Sequence, residues 1–252
     1  MSDFQDRAGR TEPFVHEEDG TRSLHFTYGE LQSRMHLQRP DALEVEYTRT
    51  MMGFLLFKCR PRSIVMIGLG GGSLAKFCYR HLPGAQITAV EINPQVIALR
   101  EQFLVPGDDA RLRIVQADGA DFVAEAASPC DVLLVDGFDR DGMPPRLCTQ
   151  GFYDDCHCML SAGGIMVANL HVEHPEYAIF VDRIVRSFEG SVLVVNIRRE
   201  GNAVVFASRG DLVAQQAQGI IRQPTLLGKA AWTELKPTFA QILTSLAETH
   251  GH

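Results

Sequence analysis

No apolar run in the 252-residue sequence approaches the roughly 20 residues that a bilayer-spanning helix needs, so no membrane partner is expected. A basic surplus is also missing. Lys and Arg number 24 against 31 Asp and Glu, and the resulting net charge of -7 disfavours a nucleic-acid backbone as partner. The six cysteines include no C-x-x-C pair. Cys156-His157-Cys158 resembles a metal motif, but helical neighbours two apart point to different faces, so no metal site is expected there. Reduced, partly buried thiols of a cytosolic protein are the plainer reading. The opening residues, MSDFQDRAGRTEP, are polar and lack the apolar segment of a secretory leader, and a cytoplasmic location is expected.

What is present is the make-up of one sizeable α/β domain with a small appendage: 45% hydrophobic and 22% charged residues, an ordinary globular balance. Residues 1–12 are expected to be disordered. Residues 13–58 predict a small N-terminal antiparallel β unit and a linking helix: FVHEEDGTRSLHF places Asp19-Gly20, a hairpin turn, between strand-like flanks, and residues 43–58 carry apolar residues at helical spacing. Residues 59–248 then alternate. Strand-like runs fall at 64–68, 87–91, 112–116, 131–136, 164–170, 191–197 and 202–208, with helical patterns at 73–82, 93–103, 119–127, 151–160 and 177–188. Asn93 and Pro94 fit a helix cap and first turn. This alternation predicts an α/β, Rossmann-like fold around a mostly parallel seven-stranded sheet. The last two strands are joined by RREG alone and should pair antiparallel at one edge. Residues 232–246 predict a closing surface helix.

The stretch IVMIGLGGGSLAKF runs from buried strand through four glycines in five positions into a helix, without the Lys-Ser or Lys-Thr of a phosphate-gripping loop. Glycines there let a ligand approach the backbone, although a tight turn alone also needs them. Downstream, Glu91 ends the second strand, Asp118 follows the third and Asp136 follows the fourth. In an open parallel sheet these ends meet in one crevice. Each could be a helix cap by itself. Together they suit an adenosine without phosphates, with ribose on Glu91 and the adenine amino group on Asp118, the layout of S-adenosyl-sulfonium-binding transferases. No second mononucleotide half or hydride partner is evident.

The motifs GGGSL (70–74), EIN (91–93), ADGAD (117–121), DGFDRD (136–141), GFYDD (151–155) and LSAGGIM (160–166) together resemble the spermidine synthase (polyamine aminopropyltransferase) family over residues 14–196. GELQSRM and VEYTRTMM upstream add to the likeness. The resemblance implies the S-adenosylmethionine-dependent transferase fold and transfer of an aminopropyl group from decarboxylated S-adenosylmethionine to a small-molecule amine, with no tightly bound cofactor and a homodimeric assembly. It implies Asp136 as the proton acceptor, Asp139 and Tyr47 on the amine side, and Gln32, Gly68, Gly70, Gly72, Ser73, Glu91, Ile92, Asp118 and Gly119 around the donor. Three departures stand out: Ser73 replaces the family's loop aspartate, Thr48-Arg49 follow Tyr47 where the family has His-Glu, and Arg140 replaces a proline. Each lowers negative charge near a site meant for cations, where an unpaired buried amine is costly. Transfer of a methyl group from intact S-adenosylmethionine, and non-catalytic binding of an adenosyl nucleotide, are the alternatives. His171-Val172-Glu173-His174, after the fifth strand of the main sheet, is read as a capping loop rather than a metal site.

Overall fold

In the computed structural model of the chain the described residues are 12–27, 31–138, 142–197, 201–215 and 223–250. The expectation of disorder over residues 1–12 falls outside them except at Glu12. Three short strands open the chain: β1 (Phe14–Glu18), β2 (Thr21–His25) and β3 (Leu31–His36), antiparallel in the order β1-β2-β3. Asp19 and Gly20 both take positive φ, 49° and 74°, which matches the twist of a two-residue hairpin.

The chain then enters α1 (Glu46–Met51) and a tighter 3-10 turn, Met52–Leu56, instead of the single helix expected over 43–58. Met51, Met52, Phe54 and Leu55 are all buried. With apolar side chains on every side there is no single stripe to bury, and the 3-10 winding fans them into different parts of the core.

The main sheet contains β4 (Ser63–Ile67), β5 (Gln86–Glu91), β6 (Leu112–Gln116), β7 (Cys130–Val135), β8 (Leu160–His171), β9 (Val192–Ile197) and β10 (Asn202–Ser208), in the order β6-β5-β4-β7-β8-β10-β9. β6 to β8 are parallel. β10 runs antiparallel to both neighbours, so β9 forms the edge expected from the short connection, whose residues 198–200 lie outside the described set. The strand order reverses between β4 and β7, the position where ligands enter such sheets.

Between the strands lie α2 (Ser73–His81), α3 (Pro94–Ala98), α4 (Gly119–Ala124), α5 (Gln150–Met159) and α6 (Tyr177–Ser187); α7 (Leu212–Gln215) and α8 (Lys229–His250) follow β10. α3 is shorter than the pattern over 93–103. The run closes as a Schellman turn, with Val105 N–H donating to Arg100 C=O (2.9 Å), Leu104 N–H to Glu101 C=O (3.0 Å) and Leu104 at φ 55°. That turn sends Phe103 into the core. Asn93 caps α3 as expected, its Oδ1 accepting the Gln95 N–H at 2.9 Å.

Each sheet face carries one apolar cluster. On one, Leu24 and Met35 of the small sheet join Met66, Phe77, Val167 and Phe206. α8 belongs to the same cluster through Leu235, Phe239, Ile242 and Leu246, so the expected closing helix is one with a buried face. The other face packs α5 and α6 through Phe152, Tyr153, Phe180 and Ile184.

Candidate active site

The parallel ladder runs slightly past the strand ends. Gly68 N–H donates to Val90 C=O (2.8 Å), Asp136 N–H to Ile67 C=O (2.9 Å) and Ala117 N–H to Glu91 C=O (3.2 Å). These bonds hold the glycine loop, Glu91, Asp118 and Asp136 side by side. Gly68 sits at φ 97°, and a Cβ there would lie 2.3 Å from the Asp136 carbonyl oxygen. Glycine at this position is required by the closeness of two strand ends, beyond any ligand.

A cavity of about 290 Å³ opens over the ends, bordered by Gln32, Tyr47, Gly68, Gly70, Glu91, Ile92, Asp118, Gly119 and Asp136 among the sequence-predicted residues. Phe26, Phe138, Pro144, Pro145 and Arg146 also line it, over a floor of Ile67, Leu69, Val90, Gly137 and Leu147. Ser73 lines a smaller adjoining recess of about 20 Å³, with Ser33, Thr48, Gln32, Tyr47 and Asp136. Its hydroxyl lies 3.3 Å from that of Ser33. Gly72 borders neither space; it precedes α2 with φ 67° and its α-carbon faces Val105. Asp139 and Arg140 lie outside the described residues.

Glu91 is only 8% exposed, and its carboxylate is fixed by the chain itself: Leu69 N–H donates to Oε2 (3.0 Å) and Asn93 N–H to Oε1 (2.8 Å). The carboxylate thereby ties the glycine loop after β4 to the turn after β5, while each oxygen keeps a lone pair for a further donor. Asp118 caps α4 by accepting the Ala120 N–H at 2.8 Å, and its other oxygen pairs with Arg146, which also grips Asp121. Arg146 was missed by sequence reasoning. It lies on the loop after β7, and no spacing rule pairs it with a carboxylate on α4.

Asp136 has the most perturbed environment of the group. Burial pushes its carboxyl up to about 6, against hydrogen bonds from Asn169 and Tyr47 that pull it down. Tyr47 O–H donates to Oδ2 at 3.2 Å and Asn169 Nδ2 to Oδ1 at 3.0 Å; Asn202 Nδ2 in turn donates to Asn169 Oδ1 at 2.9 Å. Neither asparagine belongs to a motif, and the strand pattern marks them only as one polar residue inside an apolar run, Asn169, and one at the start of another, Asn202. A half-buried carboxylate ionising near neutrality can accept a proton from a cationic amine.

Arg49, which replaces the family's glutamate, turns away and donates to Leu43 C=O. The Phe138 and His171 rings pack against each other, tilted by 30° with centroids 4.6 Å apart. His174 Nδ1 accepts the Glu176 N–H at 3.1 Å, a turn contact within that loop, and α6 itself has no side-chain cap. Cys156 is buried and Cys158 exposed, on different faces of α5. Among the described residues no group of three or more His, Cys, Asp or Glu is arranged to hold a metal ion, and no helix is long and apolar enough to cross a membrane.

A family model described as the spermine/spermidine synthase domain matches residues 44–208. The polyamine aminopropyltransferase of Chromobacterium violaceum is 42% identical over 196 residues, covering 77% of this chain and 75% of that protein. That of Neisseria meningitidis serogroup A is 38% identical over 226 residues, covering 89% and 86%. A probable spermidine synthase from Corynebacterium glutamicum superposes with a TM-score of 0.68 at 22% identity, covering 81% of this chain and 82% of its own, a likeness of fold. The fold is therefore the Rossmann-like one of S-adenosylmethionine-dependent transferases, with a small antiparallel sheet at its N-terminal side.

Proposed function

The chain belongs to the spermine/spermidine synthase family, and we propose that it transfers an aminopropyl group from decarboxylated S-adenosylmethionine to a small-molecule amine in polyamine biosynthesis. The observation that carries the reading is the placement of Asp136: a carboxylate raised to about 6 at the switch point of the sheet, on the wall shared by the large cavity and the recess at Ser73.

In this proposal residues 59–248 hold the donor and residues 13–58 cover the mouth with Gln32 and Tyr47. Glu91 accepts from the ribose hydroxyls, and Asp118 from the adenine amino group at the end closed by Ile92, Gly119 and Arg146. Gly68 and Gly70 allow the nucleoside to approach the backbone, and Gly72 shapes the start of α2. The acceptor amine gives a proton to Asp136, its nitrogen attacks the propyl carbon next to the sulfonium, and the carbon–sulfur bond breaks. Its electron pair neutralises the sulfur, releasing methylthioadenosine. Asp139 anchors the acceptor's other end. The donor is a co-substrate, and no group stays bound between turnovers.

Methyl transfer from intact S-adenosylmethionine is the second reading, favoured by the hydroxyl-lined recess of Ser33, Thr48 and Ser73. The two separate by product: the full-length protein with decarboxylated donor and a diamine should release methylthioadenosine and a longer polyamine. Homocysteine-type nucleoside and a methylated amine from the intact donor, with none of the former, would overturn the first reading. Ser73→Asp supplies a charge-assisted partner for the donor ammonium, and calorimetry should show the decarboxylated donor binding about tenfold tighter, equivalent to roughly 1.5 kcal/mol. An unchanged affinity would remove Ser73 from the donor site.

A further inference from the structure

Behind Asp136 lies a second amide that the reaction as outlined does not use. Asn169 of β8 and Asn202 of β10 are 3% and 5% exposed. The antiparallel register sets Asn202 opposite His171, so Asn169, two residues back on β8, is its diagonal neighbour on the same face. Their side chains make one directional chain: Asn202 Nδ2 donates to Asn169 Oδ1 (2.9 Å), and Asn169 Nδ2 donates to Asp136 Oδ1 (3.0 Å).

The direction matters because a primary amide has a donor end and an acceptor end of nearly equal shape. Turned over, Asn169 would point its oxygen at Asp136, repelling the carboxylate and favouring the carboxylic acid. The donor from Asn202 opposes that turn, because Asn169 can present its nitrogen to β10 without two facing donors only if Asn202 turns with it. We propose that Asn202 is a positioning residue that holds Asn169 in its donating orientation and so keeps Asp136 ionised and able to accept the substrate's proton. The inference deepens the aminopropyl-transfer reading, and for its catalytic consequence rests on it.

Among the described residues, the other polar groups around Asp136 are Tyr47 from α1, Gln32, Ser33, Thr48 and Ser73 around the adjoining recess and, across the cavity, Glu91, Asp118 and Arg146. His171, packed against Phe138, lies at the end of β8. Substitution at 202 leaves each of these side chains in the sequence, so a shift in Asp136 in the uncharged Asn202→Leu reports the amide chain, whereas Asn202→Asp adds the repulsion of a new carboxylate to it. Asn202→Leu keeps the volume and removes the donor. Asn202→Asp replaces the donor by an acceptor, which forces Asn169 to turn its nitrogen toward β10.

Two measurements on the full-length protein test this. In the pH profile of kcat/KM, the acid limb near 6 should move upward by about one unit in Asn202→Leu and further in Asn202→Asp. The deficit should close as pH rises while donor KM stays constant. A lesion of packing alone would lower the rate at every pH and leave the midpoint in place, which overturns the proposal. Carboxyl NMR titration of the ligand-free protein, with Asp136→Asn identifying the signal, follows the same ionisation without turnover. A shifted Asp136 signal in a protein that transfers no aminopropyl group would retain the amide chain and refute the proposed reaction. An unshifted signal would refute the amide chain. If neither variant folds, wild-type NMR decides: the side-chain amide protons of Asn169 and Asn202 must move with one midpoint as Asp136 titrates, and a stationary Asn202 overturns the inference.

Discussion

Asp136, the proposed proton acceptor, works against the stability of its own fold. An aspartate in the unfolded chain ionises near 3.9, whereas burial raises it to about 6 in the folded protein. Between those values the folded state holds a proton that the unfolded state has lost, so stability falls as pH rises from about 4 to about 6. The cost is complete above 6, with a ceiling on the order of 2–3 kcal/mol. In the proposed reaction activity has the opposite sign, since Asp136 must be ionised to accept the proton, and should rise through about 6. Asp136→Asn should lower kcat by roughly 10²- to 10⁴-fold, while its Tm relative to wild type should be higher at pH 8 than at pH 4. A Tm difference that does not change with pH would contradict the buried-carboxylate account. The sequence showed this residue as a strand-end aspartate, but its ionisation depends on Asn169, 33 residues away, and Tyr47, 89 residues away.

At the scale of elements, α2 was expected from its pattern, and its capping turn follows the glycine loop. Hidden in the pattern was the placement of Lys76 on the buried side. Its ammonium reaches Phe103 C=O (2.8 Å) and Met35 Sδ (3.1 Å), tying α2 to β3 and to the turn after α3. Burial lowers this lysine to about 7, with Asp41 raising it and Arg22 lowering it further. From about 7 to the ordinary value of 10.5 the unfolded chain binds a proton that the folded protein has lost, so stability rises with pH across that window. The cost is full below 7. Lys76→Met should therefore stabilise most at pH 6 and least at pH 10, minus about 1 kcal/mol for leaving the Phe103 carbonyl without its donor. Denaturant unfolding at both pH values checks this, and an equal change at the two would rule out the charge as the cause.

The whole molecule presents two sheets of different standing. The seven-stranded sheet is covered by an apolar cluster on each face, whereas the three-stranded sheet has β1 and β3 as outer strands. The outer edges of β1 and β3 offer backbone on which a second copy could dock, the homodimer that the family resemblance implies. Light scattering at micromolar concentration should give twice the chain mass, and a monomer would count against that expectation. Truncating residues 13–37 should then remove both self-association and Gln32 from the cavity.

Strand order along the chain, the glycine turn and the carboxylates at strand ends were determined by the sequence alone. They follow from period-two and helical spacing and from covalent neighbours, which act within a few residues. The length of α3 and the break in the 43–58 helix were not legible, because packing of Phe103, Phe54 and Leu55 overrode local pattern. Only the tertiary structure joined Asp118 to Arg146 across 28 residues, Lys76 to Phe103 across 27, and Asn169 to Asn202 across 33. Such partners meet because sheet order and loop folding bring them together, and side-chain type along the chain carries no record of which distant segment will lie beside it.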